Sequence, residues 1–448
     1  MKIEELEKNI RKNIQKIIPR LSEEGVKNKM GEFIDLIAKV VNPNDMSFFI
    51  EELMKIPEYK ELLESKWEKI VYSSKDSNEV IRVLEKDEKI RKKMINQFQR
   101  IVATANITSY PDLAQGFTQF ENGLKVVLEN FEILAQKTKK DYDTLYMCVL
   151  GSEEGRKTAK KNYSRIRDMA PLSEFFNFIR SIKNIDEFSL EYENFGYWAE
   201  LYEQIKIPSP EDVLAGRNYN RLSHDEQLKY GEYKTAKYLK EKIFFNLLFD
   251  RTRFEKQMIL QEVAKGREYE YYTAGSSSIV LKIDDIIVKL GTERRNFAVP
   301  YHPRLMMPIF RKEYGDATFI EISNFAERSS PEITDEKLLE IYKELEEAGI
   351  LWSDARKNNL VVLKKDNELP DFIASKEFNV FGFLEDARFP TTEHKALKKG
   401  DIVICDLDML YAKGDPNYEE GNPAPIIKKY IKKNKEKYKN ETDYYIGK

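Results

Sequence analysis

The chain has 448 residues, 41% of them hydrophobic and 34% charged, with 74 basic against 77 acidic side chains and a formal net charge of -3. That length and apolar content suffice for more than one packed domain, and the near-even charge balance excludes a global field that would recruit nucleic acid or an anionic membrane. No run approaches the roughly 18 consecutive apolar residues of a spanning helix, and Cys148 and Cys405 alone make no disulfide framework.

From Met1 to about Lys265 the apolar residues recur with a helical period. Ile3, Leu6, Ile10, Ile14 and Ile17 form one stripe that ends at Pro19. Val26, Met30, Phe33, Ile37 and Val40 form a second that ends at Asn42-Pro43, and Phe117, Phe120, Leu124, Val127 or Leu128, Phe131 and Leu134 form a third. Stripes of this kind are packing faces of a helical bundle. Pro57, Tyr110-Pro111, Pro171 and Pro208-Ser209-Pro210 cut the region into helical segments, and no self-similar period marks a repeat. A proline-free run from Ser223 to Lys265 opens with a capping box, Ser223 with Glu226 three residues on. It carries Leu228, Tyr238, Leu239, Ile243, Leu247, Phe254 and Leu260 as the expected face of one or two helices. The spacing therefore predicts an all-α domain over residues 1–265, with room for two subdomains, and a second domain over residues 266–448.

After Gly266 the pattern turns strand-like. Tyr271 to Ile283 and Ile286 to Leu290 are joined by Asp284-Asp285, a compact hairpin signal. Leu305 to Phe310 and Ala317 to Ile322 follow, with Tyr314-Gly315-Asp316 as the turn between them, which completes a small antiparallel sheet. Thr334 caps a helix bearing Leu338, Ile341 and Leu345, with Asp335 and Glu336 in its first turn and Gly349 at its end. Next come the loop Trp352-Ser353-Asp354-Ala355-Arg356-Lys357-Asn358-Asn359, the apolar run Leu360 to Leu363, an insertion over residues 364–400, and the strand Ile402-Val403-Ile404 leading to Cys405-Asp406-Leu407-Asp408.

Taken in order, these are a glycine-bearing turn, a lysine-bearing strand, two more strands, a helix, an Asp-x4-Asn loop, a strand, and an aspartate closing another strand. That order resembles the protein-kinase-like superfamily, and the likeness spans residues 266–448. It implies an α+β fold: a helical N-terminal domain followed by a small two-lobed kinase-like domain with a reduced C-lobe, of the minimal kind that occurs among bacterial effectors and small-molecule kinases. The residue roles follow from the same resemblance. Gly275 with Ser276, Ser277 and Ser278 stands where backbone N–H groups and hydroxyls meet phosphate oxygens. Lys289, fourteen residues after Gly275, stands where a lysine contacts the α- and β-phosphates, with Lys282 its competitor. The family holds that lysine with a helix glutamate, yet only Gly291 to Pro300 separates it from Tyr301-His302-Pro303. Glu293 is the nearest candidate partner, and the N-terminal helices are the other source of one.

Asp354 takes the place of the loop aspartate that receives the acceptor hydroxyl's proton, and Asn359, five residues on, that of a magnesium ligand. Arg356 stands where many kinases have a lysine that touches the transferring phosphate. Asp406 supplies the metal carboxylate at the end of a buried strand, and Asp408 offers a second where the family has glycine; Asp386 in the insertion is a rival ligand. Trp352-Ser353 replaces the usual His-Arg, which removes the arginine that a phosphorylated activation loop would engage.

The expectation is an ATP- and Mg2+-dependent phosphotransferase acting on hydroxyls of a protein recognised by the N-terminal helical domain, with no nucleic acid partner. A small-molecule kinase, a nucleotide-binding pseudokinase scaffold and an adenylyltransferase on a kinase fold are the alternatives. Met1-Lys2-Ile3-Glu4-Glu5 lacks the apolar core of a signal peptide, so the expected location is cytoplasmic where the chain is made, with delivery into a host cell open to a dedicated secretion system. Residues 426–438 are lysine-rich along an apolar edge of Ile427, Tyr430 and Ile431 and are expected to form a solvated helix closing the small lobe.

Overall fold

The computed structural model describes residues 43–55, 57–249, 251–275, 277–292, 302–305, 310–314, 318–327, 330–366, 397–405, 407, 409–415 and 421–434. The stripes of residues 3–17 and 26–40, Ser276, Glu293, Asp386, Asp406 and Asp408 lie outside them. The fold is α+β, helices first and strands after, and it divides into two compact units, Met1–Gly196 and Tyr197–Lys448. No helix among the described residues is long and apolar enough to cross a membrane.

The described part of the first unit consists of α1 (Pro43–Met54), α2 (Pro57–Ser73), α3 (Ser77–Leu84), α4 (Glu88–Asn96), α5 (Phe98–Thr104), α6 (Tyr110–Thr118), α7 (Gly123–Glu129), α8 (Phe131–Lys137), α9 (Tyr142–Met147), α10 (Glu153–Met169), α11 (Leu172–Ser181) and the start of α12 (Ser189–Gln204). Side-chain caps begin several of them: Asp76, Asp87, Ser109 and Ser152 each accept a hydrogen bond from a backbone N–H of the first turn, satisfying donors that have no partner inside the helix. The core is aromatic. Phe98 meets Phe117 at 4.7 Å between ring centroids, and Tyr146 meets Phe131 and Phe178 at 5.2 Å each, mostly edge-on, a geometry that adds to simple area burial. The stripe from Phe117 to Leu134 is not one helix. Asn122 takes a left-handed backbone conformation and Gly123 packs so tightly on Phe117 that a Cβ would stand 2.8 Å from its carbonyl carbon, so the chain turns twice, and Phe117, Val127, Phe131 and Leu134 reach the core from α6, α7 and α8.

Glu85, at the end of α3, has its carboxyl pushed up to about 7 by burial, against weaker opposing pulls from Arg82, Arg91 and Lys86. Between pH 4.5 and about 7 the unfolded chain has released that proton while the folded chain still holds it, so stability falls as pH rises through this window. The group is partly exposed, which reduces the effect to about 1–2 kcal/mol. Glu85→Gln is expected to raise the melting temperature by a few degrees at pH 8, with the difference from wild type disappearing near pH 4, in a thermal-denaturation series against pH.

In the second unit, α13 (Pro210–Leu214) precedes α14 (His224–Phe249) and α15 (Arg253–Ala264). The capping box at the start of α14 forms as expected: Glu226 N donates to Ser223 Oγ at 3.3 Å and Ser223 N donates to Glu226 Oε2 at 2.8 Å. Leu239, Ile243, Leu247 and Leu260 are buried, but Leu228, Tyr238 and Phe254 are exposed. The face expected from the sequence is thus narrower, and Phe244 and Leu248 complete it. These helices cluster with the sheet that follows, so the change of texture at Gly266 falls inside a compact unit.

That sheet has five antiparallel strands in the order β1-β2-β3-β5-β4: β1 (Glu270–Ala274), β2 (Ser278–Ile283), β3 (Ile286–Gly291), β4 (Phe310–Glu313) and β5 (Phe319–Asn324). Asp284, with φ of 46°, makes the tight β2–β3 turn at the predicted place. Of the run Leu305 to Phe310, Leu305 bridges Ile404 and Phe310 opens β4, while residues 306–309 lie outside the described ones. Alternation gives the sheet two faces. Leu281, Val288 and Ile322 oppose one another across β2, β3 and β5, on the face where Tyr271 of β1 donates to Glu232 of α14 at 2.9 Å. Lys312 of β4 pairs with Glu255 of α15 at 2.6 Å.

Beyond the sheet come β6 (Ala326–Glu327), α16 (Asp335–Glu347), β7 (Ile350–Trp352), β8 (Leu360–Leu363), β9 (Ile402–Ile404), β10 (Leu410–Ala412) and α17 (Pro425–Lys433). Thr334 caps α16 as predicted, accepting from Lys337 N at 3.2 Å, and Gly349 ends it with φ of +76°. Two small sheets, β6-β8-β9 and β10-β7, share a core with α16 and α17 made of Leu338, Ile341, Leu345, Trp352, Leu360, Ile404, Leu410 and Ile427. The insertion leaves from between paired strands, as expected. Its base is closed by Lys399 N and Lys398 Nζ donating to Asp366, each at 2.9 Å, and by Gly400 N donating to Leu363 O at 2.9 Å.

Candidate functional site

Val280, Lys289, Glu321 and Arg311 stand directly opposite one another across β2, β3, β5 and β4, so their side chains leave the same face of the sheet. The Lys289 ammonium pairs with Glu321 Oε1 at 3.1 Å, and Arg311 Nη1 donates to Glu321 Oε2 at 2.6 Å. Arg311 and Glu321 are 3% and 6% exposed. Burial by itself would push the Glu321 carboxyl up, but the charges of Lys289 and Arg311 outweigh it and hold the group below its ordinary value. The expected partner of Lys289 was a helix glutamate; a strand glutamate takes that role instead. Its sequence signal was a lone carboxylate in Phe319-Ile320-Glu321-Ile322, beside another buried strand carrying Arg311, since neither charge is tolerable in a core without the other.

The same ammonium donates to Cys405 O at 3.2 Å. Cys405 N donates in turn to Asn359 O at 3.0 Å. Lys289, the loop asparagine and the residue ahead of Asp406 are therefore linked in one network. Around it lies a cleft lined by Tyr272, Val280, Ile287, Ser323, Asn324, Ala326 and Val361 together with Lys289, Glu321 and Cys405. Its lining mixes the apolar Val280, Ile287, Ala326 and Val361 with the charged Lys289 and Glu321 and the polar Ser323 and Asn324. Lys282, the competing lysine, is directed at the Phe325 ring, 4.4 Å from its centroid, and does not line the cleft.

Gly275 and Ser277 form the turn between β1 and β2, with Ser278 the first residue of β2. Gly275 N donates to Ser278 O at 2.9 Å, Thr292 N donates to Ser277 O at 3.1 Å, and the buried Thr292 Oγ1 beside it has no hydrogen-bond partner among the described residues. Of the predicted turn residues, Gly275 is exposed and Ser277 buried.

Asp354, Arg356 and Asn359 come together on the loop between β7 and β8. Asn359 Nδ2 donates to Asp354 O at 2.9 Å and to its Oδ2 at 3.4 Å, and Arg356 Nε reaches Asp354 Oδ1 at 2.8 Å. Arg356 is thus turned back onto the carboxylate it follows. The orientation of Asn359 leaves its Oδ1 without a hydrogen bond among the described residues. That oxygen suits a hard cation such as Mg2+, which keeps several waters and takes few protein ligands. No group of three His, Cys, Asp or Glu side chains able to hold a metal occurs among the described residues, and the two aspartates expected to contribute lie outside them.

A contact the sequence did not reveal covers this loop from the other side. Asn422 N donates to Asp354 Oδ1 at 3.3 Å, Arg356 Nε donates to Asn422 O at 2.6 Å, and Ala424 N donates to Ala355 O at 2.9 Å. Gly421 lies so close that a Cβ would stand 2.9 Å from Asp354 N and nearer still to Ser353 O. Gly421→Ala is expected to lift this segment off the loop, releasing Asp354 Oδ1 from one donor. The measurable result is faster amide exchange at Asn422 and Ala424 with the melting temperature lowered by a few degrees, about 1–2 kcal/mol.

No family model matches the chain, and no curated protein or solved structure is detectably similar to it.

Proposed function

We propose that the chain is an ATP- and Mg2+-dependent phosphotransferase whose acceptor is a hydroxyl on a protein. The observation that carries this reading is the Lys289 ammonium, shared between the Glu321 carboxylate and the Cys405 carbonyl in a cleft that Val280, Ala326 and Val361 also line. In this reading the nucleotide base lies against Val280, Ala326 and Val361 and its polyphosphate meets Lys289. Magnesium, when bound, neutralises charge on the transferring phosphate. Asn359 Oδ1 and Asp406 are the residues to hold it.

The remaining steps belong to the chain's own side chains. Lys289 binds and orients the α- and β-phosphates. Asp354, fixed by Arg356, Asn359 and the Asn422 N–H, receives the proton of the acceptor hydroxyl as its oxygen forms a bond to the γ-phosphorus and the bond from that phosphorus to the bridging oxygen of ADP breaks. Catalysis of this kind rests on position and charge rather than on a covalent enzyme intermediate. The helical unit supplies surface for recognising a macromolecular partner.

A second reading, nucleotide binding without turnover, is favoured by one observation: the Asp354 oxygens are already engaged by Arg356, Asn359 and Asn422. Incubation with Mg2+ and ATP labelled at the γ-phosphate, together with a cell lysate, separates the cases. Label on protein that is absent with Asp354→Ala supports the proposal. Label only on small molecules identifies a small-molecule kinase, transfer of the nucleotide monophosphate an adenylyltransferase, and nucleotide binding with no label anywhere the second reading.

A further inference from the structure

The chain that rests on Asp354 continues directly into α17. Ile427 on one side of this helix is fully buried, and Tyr430 packs edge-on against Tyr342 at 6.0 Å and donates from its hydroxyl to Glu346 Oε2 at 3.0 Å. The helix is therefore firmly seated on α16. Its other side carries Lys428, Lys429, Lys432 and Lys433, all exposed, and the helix contains no acidic residue.

Elsewhere the surface helices set a glutamate one turn from a lysine, as in Lys92 with Glu88, Lys157 with Glu153 and Lys125 with Glu129. In α17, Lys429, Lys432 and Lys433 make no ion pair among the described residues, while Lys428 donates to Asn422 Oδ1 at 2.6 Å. The charged groups facing the helix from α16 are Glu346, Glu347 and Lys343, the last with its ammonium 5.2 Å from the Tyr430 ring. None of them is ion-paired with Lys429, Lys432 or Lys433. Lys357, on the loop itself, is matched by Asp335 at 2.8 Å. A like-charged strip of this kind is unfavourable for the helix alone and attractive to an anionic ligand.

We infer that this strip docks acidic residues flanking the acceptor hydroxyl, so that the protein substrates of the proposed phosphotransferase carry Asp or Glu close to the modified residue. The inference rests on that functional reading. Geometry sets the spacing: the strip starts beside Asn422, which touches Asp354, and runs about 8 Å along the helix axis, a length that an extended chain covers in about two to three residues. Acidic side chains roughly two to five positions from the hydroxyl would reach it. A bilayer is a poor occupant, since the apolar side of α17 is already used in the core. Nucleic acid is another, since the one aromatic ring of the helix is held between Tyr342 and Lys343.

The test uses the full chain, a fluorescent acidic hydroxyl-bearing peptide and its neutral and basic counterparts, with the triple variant Lys429→Ala/Lys432→Ala/Lys433→Ala and the charge-retaining triple arginine variant at the same positions. Peptide binding is read by fluorescence anisotropy without nucleotide, and transfer by label from ATP. The expected result is preferential binding of the acidic peptide, about tenfold or more, weakened by salt, lost in the alanine variant, and restored by arginine. Transfer should follow the same order through KM, with kcat and nucleotide affinity unchanged. Equal binding of acidic and basic peptides, or an alanine variant that binds as wild type, overturns the inference. So does displacement of the acidic peptide by single-stranded RNA or by phosphatidylserine vesicles at lower concentration than by unlabelled peptide. Absence of label on every peptide counts against phosphotransfer to protein, whereas the docking strip is judged by the anisotropy, so the two failures are distinguishable.

Discussion

Glu321→Gln is expected to destabilise the second unit by about 3–5 kcal/mol, because it leaves Lys289 and the buried Arg311 facing each other without the carboxylate that neutralises them. Thermal denaturation should show a loss of roughly 10 °C or more for a unit of this size. The pH dependence identifies the cause. The folded-state carboxyl of Glu321 is held below its ordinary value of 4.5, so its stabilisation is fully present above that value and is lost as pH falls below it. The gap between wild type and variant should therefore be widest near neutrality and close in acid. Adding Arg311→Met should recover part of the stability, since it removes the buried charge that the first change leaves without its carboxylate. If the single variant melts like wild type at pH 7, the buried ion pair has no energetic weight and the positioning of Lys289 must come from elsewhere. In the folded fraction, transfer should fall by about 10²-fold through misplacement of the lysine ammonium.

The second large effect is expected at Asp354. Removing a positioned proton acceptor lowers the rate of the chemical step by about 10²–10⁴-fold, so Asp354→Ala should abolish detectable labelling of protein. Nucleotide affinity should stay within about twofold of wild type, because the carboxylate contacts the loop and the segment at Asn422, not the cleft lining. The control that separates chemistry from loop collapse is Arg356→Ala, which removes a neighbour of the carboxylate while leaving the carboxylate itself. An Asp354→Ala protein that labels substrate at the wild-type rate would rule out this residue as the proton acceptor.

Which features were legible in advance follows from how far apart the interacting residues lie in the chain. The capping box of Ser223 and Glu226, the Thr334 cap, the Asp284 turn and the Asp354 to Asn359 spacing were all readable, because the groups that satisfy one another there are within a few residues. The stripe around Phe117 to Leu134 misled as to helix number, since period alone does not report a left-handed residue such as Asn122 or the close approach of Gly123 to Phe117.

Sequence by itself determined an α+β chain with helices first, the hairpin that carries Lys289, the loop that carries Asp354 and Asn359, and the basic side of α17. Tertiary structure alone decided what those residues touch. Strand β5 inserts between β3 and β4 and brings Glu321 to both Lys289 and Arg311, and Asn422 returns to Asp354 from 68 residues away. The physical reason is that caps and turns are chosen by hydrogen bonds among near neighbours. The partner of a buried charge is chosen by whichever strand order leaves no charge alone in the core, and no local pattern records that order.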